Sequence, residues 1–397
     1  RAHRPDYIMA LSIFSLMSIG LIMMYAISPV LSHKLIGSAS RNYFFYNQLL
    51  YTGVGVAAWM VSSNLYYKNW QRFTAVIVAV TAVSLVALLI PGLNFTKNGA
   101  TRWVKLGPLS FQPAEFIKLS LVLYLAKWFD KRRDDVTKVG EGFVPFAVLV
   151  GVTSFIVVVM QRDMGTMIVI ALSALVMYYV AGAKIQHMLV LLGGGLGAGI
   201  LAIAAFPHRM ARFMTFLDPS KDATGAGYHI NQALIAMGTG GLFGVGLGKS
   251  IQVYGYLPEA SNDSIFAIIA EEFGLFGSLV VVGLFGMLVF RGLKVAKHSS
   301  DRYAQLLATG ISLWFLFQAV INIAAMLSLV PLTGIPLPFV SYGGSSLVIS
   351  LVAAGILLNI SKYTTNEAAY ADPSERRRQR WPYLAGAGNA RGIKVTR

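Results

Sequence analysis

The feature that most constrains this chain is a series of long apolar runs. Segments 8–27, 73–90, 143–160, 167–180, 188–206, 275–290, 306–329 and 347–360 contain no Asp, Glu, Lys or Arg. A helix of roughly 20 such residues crosses a hydrocarbon core of about 30 Å. There the backbone must satisfy its own hydrogen bonds, which favours helices. Segments 48–61 and 116–128 are shorter and more polar, and are counted as further spans. Cutting the chain at charges and Pro/Gly clusters predicts an all-α integral membrane protein of about ten transmembrane helices. Composition agrees: 56% of residues are hydrophobic and 13% charged, against about 25% charged in soluble domains. The first run lacks a small-residue cleavage pattern and is followed by further spans, so it reads as a span and not a signal peptide. A start at Arg1 is what a chain trimmed at its beginning would show.

The formal net charge of +16 would point to nucleic acid in a soluble protein. Here the basic residues fall on alternate loops: Arg1, His3 and Arg4; Lys68 and Arg72; Lys131, Arg132, Arg133 and Lys138; Lys184; Arg291, Lys294, Lys297 and Arg302. That is the positive-inside pattern, and an even number of spans returns the C-terminus to the same side. Both termini are therefore expected in the cytoplasm, membrane lipids are the expected basic-face partner, and nucleic acid is excluded. Residues 1–365 are expected to form the membrane domain and 366–397 a basic, disordered tail. With no cysteine, disulfides, thiolate metal sites and cysteine nucleophiles are excluded.

With the N-terminus inside, the outward loops are 28–47, 91–113, 161–166, 207–274 and 330–345. The 207–274 loop is too long for a plain connector and too apolar for disorder, so short surface helices are expected in it.

Five segments carry ionisable or irregular chemistry. In 99–118 (GATRWVKLGPLSFQPAEFIK), Arg102 and Lys105 lie near the outer surface, and Glu115 and Lys118 share a helical face behind Pro113. They form either a local ion pair or part of a site, because charges that enter a membrane face a cavity or a partner. Asp163, at the outer end of the fifth span, is expected to pair with Lys118 across two helices. The glycines of 238–248 (GTGGLFGVGLG) lack a preceding strand and a Walker lysine, so tight turns are expected and not a nucleotide loop. In 256–272 (YLPEASNDSIFAIIAEE), Asp263 precedes an apolar helical run, as either a helix cap or a general base. Glu259, Glu271, Glu272 and Asp222 add acidity to the same loop. Finally, 331–346 (PLTGIPLPFVSYGGSS) forces irregular backbone at membrane depth, which reads as a cavity wall. No zinc-type spacing and no serine triad are present.

Taken in order, NGATRW with LGPLSFQPAEFIKL, the DMGT turn, RFMTFLDP with GYHINQALIAMGTGGLFGVGLG, YLPEASNDSIFAIIAEEFG and PLPFVSYGGSS resemble the SEDS family. These are membrane peptidoglycan polymerases that include FtsW and RodA. The form GLGKSIQVYGYLPEA is more similar to the division and sporulation branch. The resemblance implies polymerisation of lipid II outside the bacterial cytoplasmic (inner) membrane and places the essential aspartate on Asp263. It implies substrate binding at Arg102, Lys105, Glu115, Lys118, Gln232, Ser341 and Ser345. Ser261-Asn262 stand where the pattern has His-Thr, Ser264 where it has Phe, and Thr333 where many members carry Lys. A class B penicillin-binding protein transpeptidase is the implied partner, with other division or elongation complex proteins.

The implied reaction needs a carboxylate to take the proton of a weakly nucleophilic sugar hydroxyl. It also needs positive charge for the departing pyrophosphate, from Arg or Lys or from a divalent cation, Mg or Mn. A flippase for the same lipid and a non-catalytic division scaffold are the competing readings.

Overall fold

The computed structural model describes residues 4–36, 42–97, 100–106, 109–218, 225–299 and 301–364. The tail 366–397, Arg1, His3 and Asp222 lie outside the described residues. Each of the ten expected spans falls on a helix: α1 (Tyr7–Ile36), α2 (Tyr43–Asn64), α3 (Tyr67–Ala87), α4 (Pro113–Lys131), α5 (Val144–Met160), α6 (Met164–Val180), α7 (Ile185–Ala204), α10 (Ile265–His298), α11 (Arg302–Met326) and α12 (Gly344–Ser361). Among the described residues seven helices are long and apolar enough to cross a membrane. The shortfall is in α2 and α4, which are more polar, and in α6, which is 17 residues long. The protein is multi-spanning and mostly helical.

The expected all-α character fails at one place. Residues expected to form an outward loop form an antiparallel sheet of β1 (Asn94–Lys97), β2 (Ala100–Leu106) and β3 (Leu109–Phe111), in the order β1-β2-β3. Asn94 pairs with Val104, and Val104 with Phe111. β-Branched and aromatic residues in β2 suit a pleated, half-buried surface, and Val104 is fully buried. The sheet leads directly into α4, whose Pro113 occupies the first turn, where a missing N–H costs nothing.

α11 and α12 form the centre. The apolar window of α12 is 78% buried, against 11% for the equally apolar α7. Such side chains on α3, α5 and α7 face outward, and in lipid that exposure is the favourable state. α2 packs along α12, while α4, α6 and α10 surround α11. At one end of the bundle, the alternate basic connections gather. Arg291 makes a two-pronged ion pair with Asp6 at 2.6 and 2.7 Å. The Asp6 N–H donates to Ser361, Asn359 bridges Tyr67 and Ser63, and Arg302 donates to the Ala181 carbonyl. The opposite end carries the sheet, α8 (Pro207–Leu217), α9 (Ala226–Gly240) and the 331–343 segment.

At this second end α10 is broken. Gly274 takes φ 68° and ψ −162°, which interrupts the helical ladder. The freed groups are satisfied by the glycine-rich segment: Val245 and Gly246 N–H donate to the Glu271 and Glu272 carbonyls, both at 3.0 Å. In return, Leu275 and Phe276 N–H donate to Gly241 and Leu242. Two of the amides that invite a phosphate reading, those of Val245 and Gly246, are therefore spent on α10. Backbone meets backbone so closely that a Cβ on Gly274 would lie 2.4 Å from the Gly244 nitrogen. Gly274→Ala is accordingly expected to cost at least about 1–3 kcal/mol from its backbone conformation alone, read as a clear fall in the unfolding midpoint of the detergent-solubilised protein.

Candidate functional site

Asp263 sits in irregular backbone immediately before α10 and is 9% exposed. The carbonyls of three successive residues are each taken by an outside donor. Tyr342 N–H donates to Ser261 at 2.8 Å, Ser341 Oγ to Asn262 at 2.6 Å, and Asn322 Nδ2 to Asp263 at 2.8 Å. Ser341 Oγ also accepts from Leu337 N–H at 2.7 Å, and its carbonyl accepts from Gln48 Nε2. Ser341, expected to bind substrate, is thus engaged as a clamp between the 337–342 turn and the residue before Asp263. The 333–335 backbone forms the facing wall: a Cβ on Gly334 would lie 3.6 Å from Asp263 Oδ2. Gly165 in α6 lets this wall approach, since a Cβ there would lie 2.6 Å from Ile335 Cγ2.

The helix-cap reading of Asp263 does not describe this geometry. Ser264 is the residue at the N-cap position of α10, and its side chain makes no capping hydrogen bond. Ser264 Oγ instead donates to the Pro258 carbonyl and lies 2.6 Å from His229 Nε2. Because the hydroxyl proton is used on Pro258, Nε2 carries the proton in the neutral ring. Burial pushes His229 down to about 4, opposed by Glu259 and reinforced by Arg212.

The other expected residues divide into two groups. Arg102 reaches the turn before α6, donating to the Gln161 and Arg162 carbonyls at 2.9 and 2.7 Å. It is the extra residue of a bulge in β2, because Phe95 pairs with Trp103 and Thr96 with Thr101. Lys105 lies on the strand face opposite Val104 and is exposed. Gln112 links three elements: its N–H donates to Ser345 Oγ of α12, and its side chain reaches Asp163 at 3.4 Å. Gln232 lies half-buried on α9.

The expected Lys118–Asp163 ion pair is not formed. Lys118 Nζ contacts Glu115 at 2.8 Å, donates to Gln318 Oε1 at 2.8 Å, and lies 4.9 Å from the centre of the Trp314 ring. Asp163 is the N-cap of α6, accepting from Thr166 N–H and Oγ1 at 3.0 and 2.9 Å. The physical reason is local: a partner one turn away and a free helix N-terminus satisfy these charges at lower ordering cost than a contact across helices. A small cavity between α4, α6 and α11 is lined by Lys118, Ser173, Trp314 and apolar side chains.

Two groups escaped the sequence reading. Arg212 of α8 lies within electrostatic reach of Arg102, Asp163 and Asp263. Its signal was one arginine in RFMTFLDP. Asn322 and Gln318 were visible as two amides four apart in the otherwise apolar 306–329 run. Among the described residues, no group of three His, Asp or Glu side chains is arranged to hold a metal ion.

The sequence pattern of the FtsW, RodA and SpoVE family of cell cycle proteins matches residues 7–366. The chain belongs to this family. It is 39% identical to the stage V sporulation protein E of Bacillus subtilis over 91% of this chain and 98% of that one. It is 37% identical to a probable peptidoglycan glycosyltransferase FtsW of Trichlorobacter lovleyi, over 90% and 93%. Among solved structures, this SEDS protein is similar to a chain from a peptidoglycan synthase complex described as coordinating polymerization and crosslinking, with TM-score 0.69 and 25% identity over 90% of this chain and 97% of that one. It is likewise similar to the rod shape determining protein RodA of Thermus thermophilus, with TM-score 0.63 and 25% identity over 91% and 98%.

Two expectations follow from the buried charges. Lys118→Met leaves Glu115, 1% exposed, without its cation, and is expected to destabilise the protein by about 3–5 kcal/mol. Pairing it with Glu115→Leu should recover much of that loss in thermal unfolding. For His229, the folded pKa lies below the ordinary 6.5, so the unfolded chain binds the proton first. Stability is then lost as pH falls from about 6.5 toward about 4, and His229→Gln should flatten that part of the unfolding-midpoint profile.

Proposed function

We propose that this SEDS protein is a peptidoglycan glycosyltransferase that polymerises lipid II at the outer face of the bacterial cytoplasmic membrane, with Asp263 as general base. The observation that carries the reading is the placement of Asp263. It is a nearly buried carboxylate on a backbone clamped at three successive carbonyls, within the electrostatic reach of Arg212. A helix-capping aspartate needs no such support.

In this reaction the 4-hydroxyl of one disaccharide attacks the anomeric carbon of another. Its proton passes to an Asp263 oxygen as the new glycosidic bond forms. The bond to undecaprenyl pyrophosphate breaks, and the pyrophosphate leaves with the electron pair and inversion at the sugar. Pyrophosphate is a good leaving group, so the remaining need is positive charge. Arg212, with Arg102 beside it, supplies that charge. Lys118 is committed to Glu115 and Gln318 and serves the scaffold. Among the described residues no three His, Asp or Glu side chains are grouped to hold a Mg or Mn ion by themselves.

The orientation that goes with this function puts both termini in the cytoplasm and the 207–274 segment outside. The partner is a class B penicillin-binding protein that cross-links the new strands. The similarity to a peptidoglycan synthase complex supports that pairing.

Purified protein with its partner in liposomes, given labelled lipid II, is expected to yield glycan strands. Asp263→Asn should lower the rate about 10²–10⁴-fold while the protein stays folded and partner-bound. Equal glycan from that variant would exclude Asp263 as the base. Lipid transport without any glycan would favour the flippase reading.

A further inference from the structure

Trp314, Gln318 and Asn322 follow one another at intervals of four on α11 and share a helical face. Each is only 1% exposed. In an apolar helix such a row of polar groups is expensive unless each finds partners. Here the N–H donors of all three do, and the partners form one connected line. Lys118 Nζ and Trp314 Nε1 both donate to Gln318 Oε1, at 2.8 and 2.6 Å. Gln318 Nε2 donates to the Pro336 carbonyl at 2.8 Å. One turn further on, Asn322 Nδ2 donates at 2.8 Å to the Ile335 carbonyl and at 2.8 Å to the Asp263 carbonyl.

The last amide joins two stretches of irregular chain that face one another. Ile335 adjoins Gly334, the residue opposite Asp263 Oδ2. A single NH2 group therefore holds both the backbone that bears the carboxylate and the wall the carboxylate faces. Its two protons have two acceptors, so a substitution that removes the donor frees both stretches together. The row behind it is rigid, because Gln318 is itself fixed by the Glu115–Lys118 pair and Trp314.

We infer that Asn322 is a positioning residue: its side-chain amide sets the distance and bearing of Asp263 relative to the 333–337 wall, with Gln318 and the Glu115–Lys118 pair as its anchor. At 1% exposure it touches no substrate. The inference rests on the reading of Asp263 as general base. It gives Glu115 and Lys118 a part in catalysis without contact with lipid II.

The test compares wild type, Asp263→Asn, Asn322→Leu and Asn322→Asp in the full chain with its partner, polymerising labelled lipid II. Leucine keeps the volume and removes the donor. Aspartate keeps the shape and turns acceptors toward two carbonyls, and it is read where the leucine variant fails to fold. The expected result is a kcat about 10–100-fold lower with KM within about twofold of wild type. Amide hydrogen exchange should rise at 261–264 and 334–337 and stay unchanged along α2 and α12. Wild-type kcat in a folded variant, or a loss confined to KM, overturns the inference. Full activity in Asp263→Asn overturns the general-base reading, and this inference with it. An inactive Asp263→Asn beside fully active Asn322 variants overturns the inference alone.

Discussion

Backbone that leaves regular secondary structure inside a membrane protein must find new partners for its carbonyls and amides, because neighbouring side chains and lipid supply almost none by default. The residues before α10 meet this demand through Tyr342, Ser341 and Asn322, which take the carbonyls of Ser261, Asn262 and Asp263 in turn. Much of the remaining architecture at this end exists to present those three donors. α11 brings Asn322, and the prolines and glycines of 331–346 bring the other two. Gly165 lets that segment lie against α6. Satisfying the backbone and aiming the carboxylate are one structural act.

The same demand explains the glycine-rich 238–248 stretch. A helix interrupted at Gly274 exposes carbonyls at Glu271 and Glu272 and amides at Leu275 and Phe276, and all four are met by the loop. Glu271 adds a side-chain hold, accepting from Ser250 Oγ at 2.5 Å and Ile251 N–H at 3.0 Å. The nine residues between Ser264 and Gly274 thus form a short, almost wholly buried helix fixed at both ends. Asp263 is mounted at the start of a rigid element and not on a floppy loop, as a base that must meet a hydroxyl within hydrogen-bond reach requires.

Most of the helical layout was legible because charge-free runs have a length that only a bilayer explains. What stayed hidden was chemistry that needs a third dimension. The alternation in ATRWVKL is a strand signal, yet its charges and tryptophan read equally well as membrane-surface anchors. Only the pairing with β1 and β3 shows the strand, with Arg102 at its bulge and Lys105 opposite Ser110. Lys118 is offered two carboxylates by the sequence, Glu115 one turn away on the same helical face and Asp163 across two helices. Its actual partners are an acid on its own helix and Gln318, an uncharged side chain in an apolar run. Asp163 went to a helix N-terminus, a use that the following Met-Gly-Thr allowed but did not demand. The position of Asp263 came from motif order. Its support by Asn322 came from the fold.

The central claim is that Asp263 takes a proton from a sugar hydroxyl, and the most direct measurement is an experimental structure of the protein with its partner and a non-reactive lipid II analogue in the site. The account predicts an acceptor-sugar hydroxyl within about 2.6–3.2 Å of an Asp263 carboxylate oxygen and the pyrophosphate on the Arg212 side. An analogue bound with its sugar far from Asp263, and its reacting hydroxyl against another base, would contradict it.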